Sequence, residues 1–212
     1  MDVVILAAGD FPRKEYPRYL LESADHVVCC DGAIRSALRH GVKVDVLIGD
    51  MDSASAAVRK DASFEVVQVD EQETNDLTKA MRYVMAHWSD VERITILGAT
   101  GKREAHTIGN LSLLMEYEKE YHFWERGIDV QMVSDWSTAF AVGGSCSLHV
   151  GEGRPVSLFA CDTALKLHSE GLQWSLDGVV FDNWWKASLN RATADVIDLE
   201  FSHPAPLLIV LD

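Results

Sequence analysis

The sequence predicts two kinds of architecture in one chain. The first is an α/β N-terminal half with a parallel sheet and helices on both faces; the second is an all-β half, an antiparallel sandwich or barrel. Three observations predict it. Over roughly the first 120 of 212 residues, short Val/Ile/Leu runs alternate with amphipathic stretches, as repeated strand-helix units do. After Gly127 the apolar runs crowd together, broken by Gly143-Gly144, Gly151-Glu152-Gly153 and Asp177-Gly178, as in antiparallel sheets. No proline- or serine-rich linker intervenes, so the boundary is a change of texture between 122 and 130, giving domains 1–125 and 126–212.

Taken in order, residues 3–8, 26–30, 44–48, 65–69 and 93–97 read as strands, several of them continuous in Val, Ile and Leu, as strands buried on both faces are. Helices are predicted at 13–23, 33–40, 55–60, 75–88 and 104–121. In the fourth, Leu77, Met81, Val84, Met85 and Trp88 recur at helical spacing behind Thr74 and Asn75, both good N-cap residues. This alternation is a Rossmann-like layout. In the second half, strands are predicted at 129–133, 145–150, 155–160, 164–168, 179–181, 195–201 and 207–211, with Asp177-Gly178 as a hairpin turn.

Composition excludes several classes. The chain is 48% hydrophobic and 25% charged, the balance of a folded soluble protein. Nineteen Lys and Arg face 33 Asp and Glu, a formal charge of −14, which excludes a broad basic footprint for nucleic acid. No apolar run approaches the roughly 18 residues of a membrane helix, and the start lacks the basic region of a signal peptide, so a cytoplasmic location is expected. Cys29, Cys30, Cys146 and Cys161 form no CxxC pair, and the expectation is buried, reduced thiols.

In an open parallel sheet, ligands bind beyond the carboxyl ends of the strands, and four loops there are rich in polar groups. The second strand runs into Asp31-Gly32, where Asp31 reads either as the cap of the next helix or as a site residue. The third runs into Gly49-Asp50-Met51-Asp52-Ser53; residues two apart in an extended segment face the same way, so Asp50 and Asp52 can share one hard cation. The fourth leads to Asp70-Glu71-Gln72-Glu73-Thr74-Asn75-Asp76, more acid than a helix dipole explains, with Lys79 three residues beyond Asp76. The fifth ends in Gly98-Ala99-Thr100-Gly101-Lys102-Arg103, a phosphate cradle in outline though not a Walker A loop. Arg103, His106 and Asn110 then form one polar stripe, either a solvated face or a nucleotide contact. In the second half Trp174 reads either as core or as a stacking platform for a flat cationic heterocycle, beside the polar pair Ser188 and Asn190.

In this order and spacing the motifs resemble the thiamine pyrophosphokinase family over nearly the whole chain. The Asp31-Gly32 pair, the Gly49 to Ser53 loop, Asn75-Asp76-Leu77-Thr78-Lys79, Gly98 to His106, Gly171 to Trp174, Ser188-Leu189-Asn190 and Ser202-His203-Pro204 carry the resemblance. It implies transfer of the β,γ-diphosphate of ATP to thiamine with magnesium, in a homodimer whose active site is shared between subunits. Asp50, Asp52 and Asp76 would be catalytic and hold the metal. Asp31, Gly32, Ser53, Lys79, Gly98, Gly101, Lys102, Arg103, His106 and Asn110 would bind ATP, and Gln72, Glu73, Trp174, Ser188 and Asn190 thiamine. Three positions depart from the family pattern: Lys102 for a glycine, Asn75 for a threonine and Ala105 for an aspartate. Two other classes fit the same carboxylates, a catalytically weakened binding homologue and a metal-dependent phosphohydrolase or nucleotidyltransferase.

Overall fold

A computed structural model describes residues 1–54 and 63–212; the helix expected at 55–60 lies outside the described residues. The chain divides into two compact units, Met1–Asn110 with Ile128–Asp135, and Leu111–Gly127 with Trp136–Asp212.

The first unit is built on six parallel strands: β1 (Asp2–Leu6), β2 (His26–Cys30), β3 (Val46–Gly49), β4 (Glu65–Gln68), β5 (Arg93–Leu97) and β6 (Asp129–Val133). They lie in the order β6-β5-β1-β2-β3-β4. The central strands are the continuous apolar runs of the sequence, and Val3, Val4, Ile5 and Leu6 are all buried. Helices α1 (Glu15–Ser23) and α2 (Ile34–Arg39) bring Leu21, Ile34 and Ala37 against Val4, Leu6, Cys29 and Leu47 on one face. Helix α3 (Asp76–His87) buries Leu77, Ala80, Met81 and Val84 against β1, β2 and β3 on the other. Its cap is Asn75, as the sequence indicated: the side chain accepts from the Thr78 amide at 2.9 Å.

Three expectations for this half change. Residues 129–133, expected to open the all-β half, form β6 and pair in parallel with β5. Strand β4 is largely exposed rather than buried on both faces, because it is the sheet's edge. Asp31 does not cap α2: residues 31–33 form a 3₁₀ turn with no side-chain cap, and Asp31 points elsewhere.

Helix α4 (Glu104–Tyr121) leads through the short α5 (Phe123–Arg126). The second unit then holds β7 (Thr138–Val142), β8 (Cys146–His149), β9 (Pro155–Ala160), β10 (Leu167–Glu170), β11 (Asn190–Arg191), β12 (Val196–Phe201) and β13 (Leu207–Leu211). These pair antiparallel as β11-β9-β13-β7 and as β10-β12-β8. Val142, Leu158 and Ile209 from the first set and Leu167, Ile197 and Leu199 from the second share one buried cluster, so the two sheets face each other as a sandwich. Residues 179–181 are not a strand, and the strand expected at 164–168 begins only at Leu167. Asp177-Gly178 is a turn, with Gly178 at φ +77°, but it joins no hairpin. Trp184-Trp185 open a 3₁₀ turn, in which the Asn183 side chain accepts from the Trp185 amide at 3.3 Å.

Candidate active site

From β1 the chain builds the sheet outward through β2, β3 and β4, then returns to place β5 on the other side of β1. The order therefore reverses between β1 and β5, and the crevice beyond their carboxyl ends is where an open α/β sheet binds ligands. A cavity of about 320 Å³ lies there. Its lining includes Ala7, Ala8 and Gly9 after β1, Gly32 after β2, Ser53 after β3, Asp76 at the start of α3, and Gly101 to Arg103 after β5.

The loops after β1 and β5 are stitched together. The amides of Ala7, Gly9 and Asp10 donate to the carbonyls of Leu97, Gly98 and Thr100 at 2.8, 2.5 and 2.8 Å. A Cβ at Gly9 would collide with the carbonyl oxygens of Gly98 and Thr100, and Gly98, at φ +65°, crowds the Ala7 carbonyl, so both glycines are required for the approach. The sequence reading missed the β1 loop. Its signal was faint, a strand ending in Ala-Ala-Gly-Asp, because the loop works through its backbone.

The acids converge from separate loops. One carboxylate oxygen each from Asp31, Asp50 and Asp52 lies within 4.8 Å of the others. Asp31 is 1% exposed; one oxygen accepts from the Ser53 amide at 3.0 Å and the other is buried with no partner. Burial pushes its carboxyl above the usual range, with Asp52 and Asp50 adding to the effect. Asp50 is held low by the amide of Gln72, which donates to it at 3.3 Å, and by the Asp52 backbone amide. Ser53 donates to Asp52 at 2.9 Å. A buried carboxylate with one unpartnered oxygen, grouped with two more carboxylates and with no nitrogen or sulfur in the set, is a donor group suited to a hard divalent cation.

Asp76 stands outside this trio. Its Oδ1 lies 3.4 Å from the Lys79 ammonium, and burial nevertheless raises its pKa. Asp76 and Asp31 both press over Gly49, where a Cβ would sit 3.3 Å from Asp76 Oδ1 and 2.6 Å from Asp31 Cβ. Lys79 is buried against Asp76 rather than lining the cavity. Glu73 is exposed, and its amide and that of Thr74 are gathered by Glu71 at 2.8 and 3.0 Å, so Glu71 shapes this loop.

On the other wall, Lys102 adopts φ +60°, a conformation glycine takes freely, and its ammonium donates to the Ala8 carbonyl at 2.6 Å. Arg103 Nη2 lies 3.4 Å from His106 Nδ1, both exposed at the cavity edge, and Asn110 donates to the Ala99 carbonyl at 2.7 Å. The polar stripe of α4 thus faces the cavity. Ile108, on the same helix, is half exposed.

The second unit has its own pocket of about 430 Å³, lined by Trp174, Leu176, Trp185, Ser188, Leu189 and Asn190 among others. Trp174 is 57% exposed, so it is not a core residue. Asn190 is buried and spends its amide on Trp174: Nδ2 donates to the Trp174 carbonyl at 2.7 Å, and Oδ1 accepts from the Trp174 amide at 3.1 Å. Ser188 donates to the Trp185 carbonyl at 2.8 Å.

Two family models match the chain. The family model "Thiamin pyrophosphokinase, catalytic domain" matches residues 17–124, and "Thiamin pyrophosphokinase, substrate-binding domain" matches residues 139–204. The chain belongs to the thiamin pyrophosphokinase family. It is therefore a thiamine diphosphokinase, which forms thiamine diphosphate and AMP from thiamine and ATP. The carboxylates and the β5 loop fall in the first match, and Trp174, Ser188 and Asn190 in the second. Solved structures agree in fold. Thiamine pyrophosphokinase from Bacillus subtilis matches with a TM-score of 0.76 at 18% identity, covering 100% of this chain and 99% of that one. The enzyme from Candida albicans matches with 0.73 at 16%, covering 100% and 90%, and the yeast enzyme with 0.74 at 16%, covering 100% and 86%. A comparison with curated protein sequences gives no match. Among the described residues no helix is long and apolar enough to cross a membrane.

Proposed function

We propose that this transfer uses magnesium held by Asp31, Asp50 and Asp52, that ATP occupies the crevice between the β1 and β5 loops, and that thiamine stacks on Trp174. Magnesium would supply charge neutralisation for the phosphates, which a chain of formal charge −14 does not provide at large. Backbone amides around Gly101, with Lys102 and Arg103, meet the phosphates locally; Gly32, Ser53, His106 and Asn110 line the same crevice. The thiamine hydroxyl oxygen bonds to the β-phosphorus, the bond from that phosphorus to the α,β-bridging oxygen breaks, and AMP leaves. Asp76, at the start of α3 on the crevice wall and with its pKa raised by burial, takes the hydroxyl proton. No covalent nucleophile is needed, because phosphoryl transfer depends on positioning and charge. Gln72 and Glu73, on the loop before α3, complete the thiamine side, and the working form is a homodimer with the site shared between subunits.

The observation that carries this reading is the cluster of Asp31, Asp50 and Asp52 at a sheet switch point, inside the segment matched as a catalytic domain. Measuring AMP formation with and without thiamine tests it. Thiamine-dependent AMP is expected; AMP formed equally without thiamine would make the protein a hydrolase, and none at all a binding protein.

A further inference from the structure

Helices α3 and α4 begin on opposite walls of the crevice, and a side-chain relay joins them. Asn75, the cap of α3, uses Oδ1 to accept from the Thr78 amide at 2.9 Å, which leaves its Nδ2 to donate elsewhere. That nitrogen donates to Asn110 Oδ1 at 3.4 Å, and Asn110 Nδ2 donates onward to the Ala99 carbonyl at 2.7 Å. Asn75, Asn110 and Ala99 all line the crevice. The relay therefore runs from the residue beside Asp76 to the loop that follows β5, bypassing the sheet. A serine or threonine can also cap a helix, but neither has an amide nitrogen to carry the second bond.

We propose that Asn75 is a positioning residue that, through Asn110, fixes the separation between Asp76 and the phosphate-binding loop, and so tunes the site for a nucleoside triphosphate. The inference rests on the functional reading above. Asn75 touches no reacting atom; it acts on the two walls that do.

The test is a double-mutant cycle on the full chain with Asn75→Thr, which retains a cap, and Asn110→Ala, read by calorimetric titration with ATP and by steady-state turnover. Asn75→Thr is expected to weaken kcat/KM for ATP about 3- to 10-fold, the scale of one modest hydrogen bond, while KM for thiamine and the melting temperature hold. Adding Asn75→Thr to Asn110→Ala should cost nothing further in ATP affinity, because the bond it removes is already gone. Additive losses, or an Asn75→Thr chain with normal ATP parameters, would overturn the proposal. If the unsubstituted chain forms no thiamine-dependent AMP, the functional reading falls, and the titration still decides the relay: non-additive ATP affinities sustain it and additive ones end it.

Discussion

Asp31 is the acid in which burial and chemistry conflict most. A carboxylate oxygen buried without a partner costs free energy, and two neighbouring carboxylates increase the cost. Asp31→Asn removes the buried charge and its repulsion from Asp50 and Asp52, and should therefore stabilise the metal-free protein by about 1 to 3 kcal/mol. The same variant should lose most of the rise in melting temperature that magnesium gives the unsubstituted chain. Thermal scans with and without magnesium check both, and an unchanged magnesium response would remove Asp31 from the ligand set. Asp52→Asn, exposed and unburdened by burial, should leave the fold intact and lower turnover severely. Lys102 poses the opposite case. Replacing it with glycine relieves a left-handed backbone worth about 1 to 2 kcal/mol, but it adds unfolded-state entropy of about 0.5 to 1 kcal/mol and removes the hydrogen bond to Ala8, worth about 0.5 to 1.5 kcal/mol, so stability should barely move. Loss of the ammonium should weaken ATP, and a titration showing unchanged ATP affinity would confine Lys102 to bridging Ala8.

Between elements, His168 on β10 and Asp177 in the following loop form an exposed pair at 2.8 Å. The Asp177 hydrogen bond raises His168 from its ordinary 6.5, and the bonds from Ser175 and His168 lower Asp177 from its ordinary 3.8. The histidine's contribution is complete below 6.5 and lost as pH rises through its raised value; the aspartate's is complete above 3.8 and lost as pH falls through its lowered one. The pair should therefore stabilise most between 3.8 and 6.5. The gap in melting temperature between the unsubstituted chain and His168→Gln should close toward pH 9, and a gap that persists there would assign the loss to packing instead.

Elements also show what the sequence made legible. β1, β2 and β5 could be read because short, mostly apolar runs bounded by polar residues suit a strand covered on both faces. β6 was assigned to the wrong half because Asp-Val-Gln-Met-Val alternates like an antiparallel strand, and its partner is set by topology, not by its own residues. In the site, each acid was visible by itself. The grouping of Asp31 with Asp50 and Asp52 was not, since it arises from adjacent strands that end together. The β1 loop was invisible because its contribution is backbone.

At the scale of the whole molecule, the family models match two regions, one that carries the acids and one that carries Trp174. If the proposed homodimer pairs them between subunits, inactive Asp52→Asn chains unfolded and refolded together with inactive Trp174→Ala chains should regain part of the activity. Heterodimers that form and stay inactive would place each complete site within one chain. The connectivity of the sheet has a further consequence, in time. The chain leaves the first unit at Asn110 and returns at Ile128, so the strand that pairs beside β5 is translated only after α4 and α5. On a ribosome moving at about 5 to 20 residues per second, roughly 2 to 7 seconds separate the end of β5 from the end of β6. Throughout that interval the nascent sheet carries an open edge at β5, the strand whose following loop forms the phosphate cradle. Newly made chains therefore pass through a window in which chaperones, or another unpaired strand, can reach that edge before β6 does.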